Sequence, residues 1–170
     1  MEEAANTHFL YPAALYASKQ PFIVSTILGS CVAVCLYDPV TRIGGINHYM
    51  LPLWNGQGLA SPKYGNIAIE KLLEKMISLG CNKNNLKAKV FGGGEVIETS
   101  IQQFNIGARN IKLAFEALEE MGIPVVGQSV GGKLGRKILF NTETGEVRQK
   151  YIQKQTLSPL PPKKIDDKRV

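Results

Sequence analysis

The sequence is poor in the groups that most often announce a chemistry. It holds three cysteines and two histidines among 170 residues. The cysteines are odd in number, none sits in a Cys-x-x-Cys pair, and neither His8 nor His48 clusters with them. Neither a disulfide framework nor a metal site is therefore expected, and a reducing cytoplasm is the expected compartment. No run approaches the ~20 uninterrupted apolar residues of a membrane helix, so no membrane insertion is expected. Met1-Glu2-Glu3 carries acid where a signal peptide carries base, so no secretion signal is read. There is no Gly-x-Gly-x-x-Gly, and no Lys-Ser/Thr follows Gly92-Gly93-Gly94. That glycine run reads as a close backbone approach rather than a phosphate loop. A dense basic stripe with interleaved aromatics is missing too. Of the net charge of +6, half comes from five basic and two acidic residues after Ile152. No nucleic-acid partner is expected.

What is present is ordinary for a globular chain: 44% hydrophobic and 20% charged residues. Residues 1–152 read as one domain, and 153–170 as a mobile tail rich in Pro and Lys. Phe22–Leu28 is β-branched and apolar, a strand. Gly29-Ser30 interrupts it, Cys31–Tyr37 resumes it, and Asp38-Pro39 ends it in a turn. Ile46–Leu51 reads as the returning strand. Along Cys31–Tyr37, Cys31, Ala33 and Cys35 share one side and Val32, Val34 and Leu36 the other. Both sides are apolar, so this strand is expected to be buried on both.

Leu53–Tyr64 is a Gly/Pro/Asn/Ser loop. Ile69, Leu72, Leu73 and Met76 form one helical stripe closed by Gly80. Leu86–Phe91 is a strand. Ile111, Ala114, Phe115 and Leu118 predict a second helix, ended by Gly122 and Pro124. Val125-Val126 is a short strand, and Gly131-Gly132 a bend. Lys137–Asn141 and Glu146–Ile152 make a hairpin. Two main helices among six or seven strands predict an α/β (α+β) single-domain sandwich with a mixed β-sheet core.

One stretch, Ser25–Pro52 (STILGSCVAVCLYDPVTRIGGINHYMLP), could carry chemistry. Cys31 directly follows Gly29-Ser30, and His48 lies seventeen residues further on. A nucleophilic cysteine needs a partly exposed sulfur, a lowered pKa and a base within reach. A sharp bend at Gly29-Ser30 would present the sulfur and leave nearby N–H groups to stabilise an oxyanion. His48 could supply the base. Counting back from the turn sets His48 short of Cys31, so a twist or bulge is expected to bring them together. The blander readings are a buried small hydrophobe for Cys31 and a structural imidazole for His48. Cys35, Cys81 and His8 are read as structural or incidental.

"LGSCVAVCLYDP" with "GGINHYMLP" resembles the chemoreceptor glutamine deamidase family CheD of bacterial and archaeal chemotaxis. "FGGGEV", "NIGARNI" and "GGKLGRKILFNTETGEV" follow in the same order. The likeness covers residues 20 to 150. It implies hydrolysis of a receptor glutamine side chain to glutamate, releasing ammonia through a cysteine thioester, with no cofactor. It implies Cys31 as nucleophile and His48 as base. The family's third member, a hydroxyl residue six positions before the cysteine, falls on Ser25; Thr26 beside it is held in reserve. Gly29 and Ser30 would support the oxyanion. A sandwich similar to deamidating bacterial toxins is implied, as are two partners: a methyl-accepting chemotaxis receptor as substrate and a CheC-type phosphatase as regulator. Two other readings stay open. One is a binding protein that stimulates such a phosphatase or serves as a receptor adaptor. The other is a cysteine hydrolase or acyl transferase of another class.

Overall fold

In the computed structural model, residues 6–96, 105–153 and 168–170 are described. The strand expected after Gln20 is β3, Ile23–Leu28. It follows two short strands, β1 (Thr7–Phe9) and β2 (Leu15–Ser18). Their three and four residues carry no readable alternation, and neither was expected from sequence. In β3, Val24, Thr26 and Leu28 are fully buried, while Ser25 and Ile27 take the other side.

After the Gly29-Ser30 bend, β4 runs Val32–Asp38, and its residues 32–36 are all buried. Asp38 closes the turn. Its Oδ1 accepts from the Val40 and Thr41 N–H groups at 2.8 and 3.2 Å. The returning strand β5 is Ile43–Asn47, not 46–51 as the sequence suggested. Gly44 and Gly45 belong to the strand because no side chain fits there. A Cβ on Gly44 would stand 2.7 Å from the Thr142 carbonyl oxygen, and one on Gly45 2.8 Å from Leu72 and Met76.

The helix α1 spans Gly65–Ser78 and buries Ala68, Ile69, Leu72 and Met76. A short 3₁₀ turn (Lys83–Asn85) leads to β6, Lys87–Gly92. The helix α2 spans Ile106–Met121, and Gly122, with φ 72°, caps its end. The strand β7, Val125–Val130, extends past the two residues that looked like a strand. The hairpin is β8 (Gly135–Asn141) and β9 (Val147–Ile152). Of the expected tail, residues 154–167 lie outside the described residues. Beyond them β10, Lys168–Arg169, pairs antiparallel with β9.

Among the described residues, two five-stranded sheets form, ordered β1-β3-β8-β9-β10 and β2-β5-β4-β6-β7. Both are mixed, with β1/β3 and β6/β7 parallel and the other pairs antiparallel. The alternation along β4 sorts two cores. Val32, Val34 and Leu36 pack with Ile69, Leu72, Met76, Ala114 and Leu118 of the helices. Ala33 and Cys35 pack with Val24, Leu28, Ile138 and Phe140 of the other sheet. The layers are therefore helices, second sheet, first sheet. The α+β sandwich read from sequence is the one observed, and β4 lies in its middle layer, buried on both faces as expected.

Candidate active site

Thr26 is the inward-facing hydroxyl at the middle of β3, with no exposed surface. Its Oγ1 lies 2.7 Å from the Leu10 carbonyl oxygen and 2.7 Å from His48 Nδ1. A hydroxyl has one proton, and a carbonyl oxygen can only accept. Thr26 therefore donates to Leu10, and His48 Nδ1–H donates to Thr26. That fixes the tautomer, so the other nitrogen, Nε2, carries a lone pair. Nε2 is buried without a hydrogen-bond partner in the described structure. Burial pushes the His48 pKa down to about 4, which keeps the ring neutral.

The main chain of His48 is held by the segment between β1 and β2. Its N–H donates to Ala14 and its carbonyl accepts from Ala13. The ladder between β4 and β5 stops at Asn47, whose Oδ1 accepts from the Val34 N–H at 2.8 Å. It resumes as a single bridge, Val32 with Tyr49. The register does not change across the gap: Cys35 opposes Ile46 and Val32 opposes Tyr49. Ala33 therefore faces His48, and Cys31 is the diagonal neighbour on the same side. Such neighbours stand ~7–8 Å apart at Cα, within reach of long side chains. No bulge lies between these two pairings.

Cys31 is partly exposed, whereas Cys35 and Cys81 are buried. Burial raises the Cys31 thiol pKa, and a hydrogen bond from the residue's own backbone N–H opposes that rise. Burial also raises the Cys35 and Cys81 thiols. The glycine run packs against the Cys31 bend as a close backbone approach. The Gly93 N–H donates to the Cys31 carbonyl and the Gly94 N–H to the Gly29 carbonyl, each at 2.9 Å. Gly92, at φ 103°, leaves no room for a Cβ beside the Cys31 carbonyl.

The structure thus brings Thr26 to His48 and sets Cys31 on the same face. It does not bring Ser25 there. Ser25 lies on the opposite side of β3, between Phe9 and Leu139 across the ladder, because neighbouring strand residues point to opposite faces. The hydroxyl behind the imidazole is therefore Thr26, five positions before the cysteine. His8 stacks on Tyr16, 4.2 Å between ring centroids. Two features had not been read from sequence. One is the Leu10–Ala14 segment behind Thr26 and His48. The other is Asn110, whose Nδ2 donates to the carbonyls of Ser30 and Met50 at 3.0 Å each. Its signal was available: it is the one polar residue in the buried stripe Gly107, Asn110, Ala114, Leu118 of α2.

A partly exposed thiol, an imidazole with an unpaired nitrogen on the same face and a hydroxyl orienting that imidazole fit the class of cysteine-dependent hydrolases and acyl transferases. The profile of the CheD family, described as CheD chemotactic sensory transduction, matches residues 50–151, and the chain belongs to that family. The matched segment begins after His48 and includes Asn110. A Trichlorobacter lovleyi protein named probable chemoreceptor glutamine deamidase CheD is 53% identical over 140 residues, 82% of this chain and 87% of that one. Proteins of the same name are 46% identical in Sulfurimonas denitrificans (86% and 94% covered) and 43% identical in Rhodospirillum rubrum (85% and 82% covered).

Proposed function

We propose that this chain hydrolyses glutamine side-chain amides of methyl-accepting chemoreceptors to glutamate, acting as a protein-glutamine glutaminase in the cytoplasm. The observation that carries the reading is the Thr26–His48 hydrogen bond, which leaves Nε2 unprotonated on the face that bears Cys31. Family membership and the names of the relatives supply the substrate class.

The buried, neutral imidazole and the raised thiol favour a resting pair of thiol and imidazole over an ion pair. His48 Nε2 takes the Cys31 proton as the sulfur attacks the glutamine Cδ. The N–H groups of Ser30 and Cys31 at the bend stabilise the oxyanion. The imidazolium, held by Thr26, gives its proton to the departing nitrogen, and ammonia leaves behind a thioester. Water then attacks with His48 as base, the C–S bond breaks, and glutamate and the Cys31 thiol are released. A CheC-type phosphatase is the partner that the family suggests for regulation.

The test is intact-mass spectrometry of a receptor cytoplasmic fragment before and after incubation, each conversion adding about one dalton as NH₂ becomes OH. Cys31→Ala should abolish the increment while the protein keeps its fold, since a small-for-small change costs little packing. A well-folded Cys31→Ala protein that still deamidates would refute the reading. An unmodified receptor with a wild-type protein that tightly binds it or a CheC-type phosphatase would favour the binding-protein reading instead.

A further inference from the structure

Asn110 is fully buried on the face of α2 that packs against the second sheet. Both protons of its Nδ2 are used, one on the Ser30 carbonyl and one on the Met50 carbonyl. Two carbonyl oxygens can only accept, so the atom between them is the nitrogen. The two residues flank the site: Ser30 precedes Cys31, and Met50 follows His48-Tyr49. Tyr49 adds a third link, its hydroxyl donating to the Asn110 carbonyl. Oδ1 of the same side chain is buried with no partner in the described structure, a cost that an apolar residue in this stripe would avoid.

The Ser30 carbonyl and the Cys31 N–H belong to one peptide unit. That peptide is trans, so the two groups point in opposite directions. Anchoring the carbonyl to Asn110 turns the Cys31 N–H away from α2. There it lies against its own sulfur and donates to no backbone carbonyl among the described residues. An oxyanion formed at that sulfur would meet this N–H.

We propose that Asn110 is a positioning residue of this site: it fixes the Ser30–Cys31 peptide so that the Cys31 N–H faces the reacting carbonyl oxygen, and ties that peptide to the segment carrying His48. The proposal rests on the reading of Cys31 and His48 given above. A purely structural Asn110 would satisfy two buried carbonyls and influence stability alone.

The experiment compares wild type, Asn110→Ala and Asn110→Ser, with Cys31→Ala as control. It measures the thermal midpoint, kcat and KM on a receptor cytoplasmic fragment, and the pH dependence of Cys31 alkylation by iodoacetamide. Per folded molecule, Asn110→Ala should lose about 10–100-fold in kcat, the scale of a misplaced reacting group, with KM within about twofold of wild type. Asn110→Ser, which keeps one donor, should fall between. The alkylation profile should move to higher pH, because a hydrogen bond from the N–H favours the thiolate. Wild-type kcat per folded molecule, or an unshifted alkylation profile, overturns the proposal. So does loss of folding in both Asn110 variants, which would assign the residue to the fold alone. A Cys31→Ala protein that still deamidates overturns the site reading itself, whereas the alkylation profile tests Asn110 independently of deamidation.

Discussion

The catalytic reading turns on the direction of one proton. Thr26 gives its hydrogen to Leu10 and therefore receives one from His48. Thr26→Val keeps the shape and removes that acceptor, so kcat should fall about tenfold, the rate equivalent of ~1.4 kcal/mol. Ser25→Ala, on the other face of β3, should leave turnover near wild type. A silent Thr26→Val beside a crippled Ser25→Ala would show that the imidazole is oriented from elsewhere. The pH dependence follows from burial. With the His48 pKa lowered to about 4, the acid limb of kcat/KM for the free protein should lie below the usual histidine range near 6.5. The same shift acts on stability. Below its ordinary pKa the unfolded chain binds a proton that the folded chain refuses, so this contribution is complete above about 6.5 and is lost as pH falls toward about 4. His48→Gln should flatten that part of the stability curve in denaturant titrations. Cys31 and His48 were legible as candidates through the family's motif. The choice of hydroxyl was not, because Ile23 and Ile27 make the Ser25 side of β3 as apolar in sequence as the Val24 and Leu28 side.

At the scale of elements, periodicity located the long pieces. Both helices lie where their stripes placed them, and β4 divides its side chains between two cores as its alternation required. Failure came where a strand was made by its neighbours. The glycines of β5 fell before the strand expected from Ile46, yet they are the residues that let β8–β9 and α1 approach from opposite sides. This gives a direct check. Gly45→Ala drives a methyl to 2.8 Å from Leu72 and Met76 and should cost about 1–3 kcal/mol of stability, seen as a lower thermal midpoint. A midpoint equal to wild type would mean that α1 can back away without loss. The segment Leu10–Ala14 was equally silent in sequence. Its role is to offer the Leu10 and Ala14 carbonyls and the Ala13 N–H, and backbone groups leave no trace in composition.

For the whole molecule, the site is a junction of all three layers. Thr26 comes from the first sheet, Cys31 and His48 from the residues that flank β4 and β5 of the second, and Asn110 from the helices. No single element holds enough of it to work alone, so the register of the imidazole depends on how the two sheets close. Phe140, fully buried between them, is the large side chain to test this. Phe140→Ala should cost ~3–5 kcal/mol through lost burial and a residual cavity. For a chain of this size that is roughly 6–20 °C in thermal midpoint. Over a denaturant series on this variant, deamidation and far-ultraviolet circular dichroism should then vanish in one coincident transition, as for a cooperative domain. If deamidation disappears well before the dichroism, the sheets separate while their strands persist, and the site is held by an interface that opens on its own.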